Sequence, residues 1–140
     1  MTYTLKRIFC MFLFLLAGNY MLQAQYISRS EPLPYVCPSV CQGGTTVLRI
    51  FQIQNIPNGQ RIQALLSNAS GSFASGTQVL EVDRYSTNGG TTWQNGPYVV
   101  SGNVSELQVE VTIPPATPAG GAYKVRIRTS GGYVSPEVYQ

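Results

Sequence analysis

Glu106-Leu107-Gln108-Val109-Glu110-Val111-Thr112-Ile113 alternates polar and apolar side chains without a break. A period of two puts Leu107, Val109, Val111 and Ile113 on one face of an extended strand and the polar residues on the other, so one face packs and the other meets water. Pro114, Pro115 and Pro118 follow. None can donate to a ladder, so they end the strand and build a connection. Gly120-Gly121 then reverses the chain into a second alternating run, in which Tyr123, Val125 and Ile127 oppose Lys124, Arg126 and Arg128. Two such strands can cover a common core.

Working outward, short β-branched and aromatic segments recur between clusters of Gly, Pro, Asn and Ser, and no apolar 3.6-residue period persists for three turns. Strands are predicted at 45–54, 61–67, 78–85, 92–100, 106–113, 122–129 and, briefly, around 133–138. Roughly seven strands within about 100 residues, with turns every 8–12, predict an all-β fold, an immunoglobulin-like antiparallel β-sandwich. Tyr123 stands at the start of the penultimate strand, just past a corner. It reads either as the tyrosine corner of such sandwiches or as an ordinary buried aromatic.

The N-terminus has a different character. Lys6 and Arg7 precede an apolar block from Ile8 to Gly18, and Leu22-Gln23-Ala24 forms a polar exit ending on a small residue. That is the pattern of an export signal cleaved after Ala24. The break at Gly18-Asn19 leaves the apolar block short of the roughly 20 residues a spanning helix needs. Cys10 follows Arg7-Ile8-Phe9 rather than small residues, so no lipid anchor is read there. The expected organisation is a signal peptide at 1–24, a lead-in at 25–43 and the sandwich at 44–140, in an exported product without a membrane span once the signal is removed.

Export bears on the cysteines. Cys37-Pro38-Ser39-Val40-Cys41 would hold its ends more than about 10 Å apart if extended, whereas a bridge needs Cα atoms roughly 4.4–6.8 Å apart. A local Cys37–Cys41 disulfide is expected, closed by a turn at Pro38-Ser39. A metal is the alternative, but structural zinc takes four ligands and the chain has no histidine.

Over the full chain nine basic residues face six acidic ones; with Lys6 and Arg7 lost in the leader the balance is seven to six, a net charge of +1. Lys124, Arg126 and Arg128 alternate with Val125 and Ile127 and read as a solvated strand face, so nucleic acid is not an expected partner. Hydrolytic and phosphoryl-transfer chemistry find few residues to use. Glu81 and Asp83 would point the same way from one strand about 7 Å apart, but glycosidase carboxylates flank a cleft instead of lying in line. No loop is seen to supply the six to eight oxygens of a calcium site. No catalytic residue, metal or cofactor is expected. Trp93, Tyr98 and Tyr85, on one predicted hairpin with Asn88 and Asn95, are the candidate ligand-binding residues, as a flat platform for a sugar. The competing reading packs Trp93 in the core.

Two runs, Leu66-Ser67-Asn68-Ala69-Ser70-Gly71-Ser72-Phe73-Ala74-Ser75 and Ile113-Pro114-Pro115-Ala116-Thr117-Pro118-Ala119-Gly120-Gly121-Ala122-Tyr123-Lys124-Val125-Arg126-Ile127-Arg128, together resemble an Ig-like repeat domain common in secreted and surface proteins of Bacteroidetes. Cys41-Gln42-Gly43-Gly44 is similar to it as well, and the resemblance runs from about Pro38 onward. It implies a module of adhesin-like or enzyme-bearing chains with no catalytic residues of its own. Neither neighbouring repeats nor a β-rich C-terminal sorting segment is read here, so periplasmic, cell-surface and released products are equally consistent. Ser86-Thr87-Asn88-Gly89-Gly90-Thr91-Thr92-Trp93 resembles the Asp-box hairpin of neuraminidase-type propellers, with Asn88 where an aspartate is usual. A single copy implies a hairpin and no glycosidase chemistry. The expectation is an exported, non-catalytic Ig-like module mediating protein interaction or adhesion at the cell envelope. The alternative is a carbohydrate-binding protein using the aromatic hairpin; the partner is thus an envelope or extracellular protein, or a polysaccharide.

Overall fold

In a computed structural model of the chain, residues 24–29, 43–119, 122–136 and 138 are described, apart from the side chains of Arg29 and Phe51. The export signal as far as residue 23, the Cys37–Cys41 pair and the Gly120-Gly121 turn lie outside the described residues. The named strands are β1 (Tyr26–Arg29), β2 (Thr45–Gln54), β3 (Ile62–Leu66), β4 (Gln78–Glu81), β5 (Arg84–Ser86), β6 (Gln94–Asn95), β7 (Leu107–Thr112) and β8 (Val125–Thr129). All pair antiparallel, in a five-stranded sheet of order β1-β2-β7-β5-β6 and a three-stranded sheet of order β4-β3-β8. No helix occurs among the described residues, and none there is long and apolar enough to cross a membrane.

One core joins the two sheets, as a sandwich requires. Leu107, Val109 and Val111 of β7 lie opposite Ile50, Leu48 and Thr46 of β2, all buried. From the other sheet come Ile62, Ala64 and Leu66 of β3, Leu80 of β4, and Val125 and Ile127 of β8. The alternation at 106–113 is therefore buried on the expected face. In β2 the inward positions change from Thr46, Leu48 and Ile50 to Ile53. The cause is a bulge: Ser28 pairs with Gln52 and Arg29 with Ile50, leaving Phe51 as the extra residue that resets the period.

Four expectations differ in the structure. The lead-in, read without a strand, supplies β1, whose Ile27 is buried in the core and whose Ile27 carbonyl accepts a 3.0 Å bond from the Ser135 hydroxyl. The single strand at 78–85 divides: β4 belongs to the smaller sheet and β5 to the larger, and the chain crosses between them at Val82-Asp83. The strand at 92–100 divides as well. Beyond β6, Gly96 takes φ +101° and Pro97 offers no N–H, and the chain then turns to bond the start of β3 through Ile62 N–H to the Tyr98 carbonyl (3.0 Å) and Val100 N–H to the Gln60 carbonyl (2.9 Å). The last strand is reduced to a bridge between Val134 and Arg128.

At the corner before β8, the Tyr123 hydroxyl donates a 2.6 Å hydrogen bond back to the Pro118 carbonyl while its ring packs against the core. Tyr123 is thus half-buried, with an apolar ring against the core and a polar tip tied to the corner. The loop after β3 is built on Asn68, whose Oδ1 accepts from Ser70 N–H (3.1 Å), Ser70 Oγ (2.8 Å) and Ser72 N–H (2.9 Å). Gly71 lies in that loop at φ +79°, and a Cβ there would come within 2.7 Å of the Ala122 carbonyl oxygen. The position therefore demands glycine.

Candidate functional site

The hairpin between β5 and β6 holds two of the three aromatic candidates. Its turn is a polar clamp. Ser86 Oγ donates to Asn88 Oδ1 (2.8 Å) and accepts from Gly90 N–H (3.0 Å), Asn88 Oδ1 accepts from Thr92 N–H (3.0 Å), and Asn88 Nδ2 donates to Thr92 Oγ1 (2.6 Å). Gly89 and Gly90 supply the positive φ that this turn needs. The hairpin expected at 86–93 is thus present, closed by the Asn88 amide. Ser86 is buried, so the clamp is anchored in the sheet.

Trp93, at the exit of the turn, is half-buried and belongs neither to the core nor to an open platform. The Arg84 guanidinium carbon lies 4.9 Å from its ring centroid. Arg84 is itself held by Glu110, its cross-strand partner, in a two-pronged contact of Nε to Oε1 and Nη2 to Oε2, both 2.8 Å. The hydrogen bond to Glu110 raises the Arg84 pKa, with its burial opposing and the carboxylate's charge adding to the rise. Glu110 orients Arg84, and Arg84 covers Trp93. Arg84→Ala is expected to uncover the indole, red-shifting its emission and increasing acrylamide quenching, with the far-UV circular dichroism spectrum unchanged; an unmoved spectrum would show that the guanidinium does not sit on the ring.

Tyr85 and Tyr98 pack on each other edge to face, with ring centroids 5.1 Å apart and planes at 73°. Tyr85 donates from its hydroxyl to Gln94 Oε1 (2.7 Å), and Tyr98 is buried among core residues. Tyr98 also lies beyond the Gly96-Pro97 break, so the expected single hairpin bearing all three aromatics does not form. Trp93, Tyr85 and Tyr98 share a neighbourhood without sharing an exposed plane.

Burial raises the Tyr98 phenol above its ordinary 10.0, and Tyr85 adds to the rise. The unfolded chain therefore loses this proton at lower pH than the native one. The stabilisation is complete below about pH 10 and is lost as the pH rises through the native value. Urea midpoints are expected to fall above about pH 10, and to fall less steeply in Tyr98→Phe.

The two carboxylates weighed for chemistry are taken up separately. Glu81, at the end of β4, accepts from Gln63 Nε2 and lies 3.9 Å from Arg61 Nη1. Asp83, in the crossing between sheets, accepts from Thr112 Oγ1 at 2.8 Å. Among the described residues no three His, Cys, Asp or Glu side chains come together as a metal site would require. Sequence reasoning missed the role of Arg84, because its two partners lie 26 residues downstream and across a turn. No family model matches the chain, and neither any curated protein nor any solved structure was found to match it.

Proposed function

We propose that the chain is an exported, non-catalytic immunoglobulin-like module that binds a protein partner at the cell envelope. The order of strands is the observation that carries the fold part of this reading. Taking β1, β2, β7 and β5 as A, B, E and D, and β4, β3 and β8 as C′, C and F, the order supports an immunoglobulin-like reading of ABED opposite CF, with β6 as an additional edge strand and the Val134 bridge beside β8 where strand G would lie. Tyr123 then stands at the E–F corner with its hydroxyl bonded upstream, as the tyrosine corner of such domains does. The export part rests on Lys6-Arg7, the apolar block and Ala24.

The non-catalytic part is supported by how the polar groups are used. Glu81, Asp83, Glu110 and Arg84 each serve contacts within the sheets, which suits a shape-holding module. Mature protein, oxidised and immobilised, is expected to retain a saturable protein partner from an envelope extract of the producing cells. Repeated failure with folded bait would overturn the reading. Retardation by a polysaccharide gel that Trp93→Ala abolishes would replace it with the carbohydrate-binding one.

A further inference from the structure

The smaller sheet has an outer face of uneven composition. Register places Glu81, Gln63, Arg128 and Val134 in one row across it, and Val79, Leu65 and Arg126 in the next. Lys124 continues the same side of the chain, fixed by its N–H to Ser67 Oγ and by Ser67 N–H to its carbonyl, both 2.8 Å. Lys124, Arg126 and Arg128 thus form a line of cations about 7 Å apart. Val134, 38% exposed, borders the line on one side and half-buried Leu65 on the other, with Val79, 47% exposed, one strand further out.

This arrangement differs from a solvated basic strand in three ways. Arg126 is held in place, its guanidinium carbon 4.4 Å from the Phe73 ring centroid and its Nε buried without a hydrogen-bond partner. None of the three cations has an ion pair among the described residues, and Glu81, the acid on this face, is occupied by Arg61 and Gln63. Val79 and Val134 stand exposed on the same face as these half-buried cations. A pre-set guanidinium among apolar side chains is the composition of a protein-binding surface.

We infer that this face docks an acidic segment of a partner protein, lying extended across β8. Side chains at every second position of an extended segment face the sheet at the same spacing of about 7 Å, so carboxylates can meet Lys124, Arg126 and Arg128 in register, while apolar side chains of the partner on either side of that segment cover Leu65, Val79 and Val134. An anionic polysaccharide would satisfy the cations and leave the valines in water. The inference rests on the module reading and names its contact surface.

A photo-crosslinker tests it. The full chain carrying Val79→p-benzoylphenylalanine, or Val47→p-benzoylphenylalanine on the opposite sheet as a control, is irradiated in producing cells and the adducts are sequenced by mass spectrometry. Position 79 is expected to capture a protein segment adjoining a stretch with carboxylates at every second position. Lys124→Gln/Arg126→Gln/Arg128→Gln should cut that yield at least about tenfold, equivalent to roughly 1.4 kcal/mol. The corresponding triple Glu reversal should cut it further; circular dichroism identifies any variant that fails to fold, and the Gln triple variant avoids like-charge repulsion. Adducts only to polysaccharide or lipid, or a protein adduct indifferent to the Gln substitutions, would overturn the inference. Protein capture at 47 but not at 79 would discard this face and keep the module, and capture at neither, with an empty pull-down, would discard both.

Discussion

Leu48→Ala is expected to lower the unfolding free energy by about 2–5 kcal/mol, while Val47→Ala, one residue away, should cost at most about 1 kcal/mol. Leu48 is fully buried opposite Val109 at the centre of the β2–β7 pair, whereas Val47 is 42% exposed on the outer face. Removing three carbons from Leu48 leaves a cavity that rigid neighbours on both sheets cannot close. Removing two from Val47 leaves water where water already was. The pair of variants reads the register directly, because a one-residue slip would exchange their effects. Urea unfolding of the mature protein with an unchanged m-value is the measurement. Equal losses at both positions would refute the register of β2 against β7.

The period of two was enough to identify the buried apolar side chains of β7 and β8, since these strands are regular, but it placed Gln108 in water, whereas the β5–β6 turn at Gly90 packs over it and buries it. It could not tell which sheet a strand joins. Leu80 and Val82 are both buried, so the alternation runs on through the crossing from β4 to β5 and hides it. Nor does the run Leu48-Arg49-Ile50-Phe51-Gln52-Ile53 reveal its bulge, because either parity offers an apolar face. The short Tyr26-Ile27-Ser28-Arg29 has one buried apolar side chain on which to be recognised, Ile27, and pairs with residues 21 to 28 positions away.

At the hairpin, local chemistry was legible and nonlocal chemistry was not. Ser86, Asn88, Gly89, Gly90 and Thr92 close their clamp within seven residues, and the sequence carries all of it. The surroundings of Trp93 depend on Glu110 orienting Arg84, a contact set by the pairing of β5 with β7. Tyr98 parted from Trp93 because Gly96-Pro97 redirects the backbone toward β3, and the intervening spacing gives no measure of that turn. The cationic line of β8 was visible as alternation, whereas its apolar border comes from β3, β4 and the Val134 bridge and exists only after folding.

Deleting residues 25–29 should cost at least about 3 kcal/mol and turn the protein from a monodisperse species into one that self-associates. Ile27 fills part of the core with 1% of its surface exposed, so its loss alone is comparable to a large-to-small core substitution. Ser135 Oγ would lose the Ile27 carbonyl as acceptor in a buried setting, adding about 1–3 kcal/mol unless water enters. For a domain of ordinary stability, about 5–15 kcal/mol, this is a large share. Association follows from a different cause. Without β1, the ten-residue β2 becomes the sheet edge, long and largely regular, and its unpaired N–H and C=O groups offer a template for another chain. Ile27→Ser separates the two effects by keeping the backbone cover while losing the buried side chain. It should be destabilised yet remain monodisperse by light scattering, whereas the deletion variant should gain mass with concentration. A deletion variant that stays monodisperse and loses less than about 1 kcal/mol would show that these residues do not form the edge of the sheet.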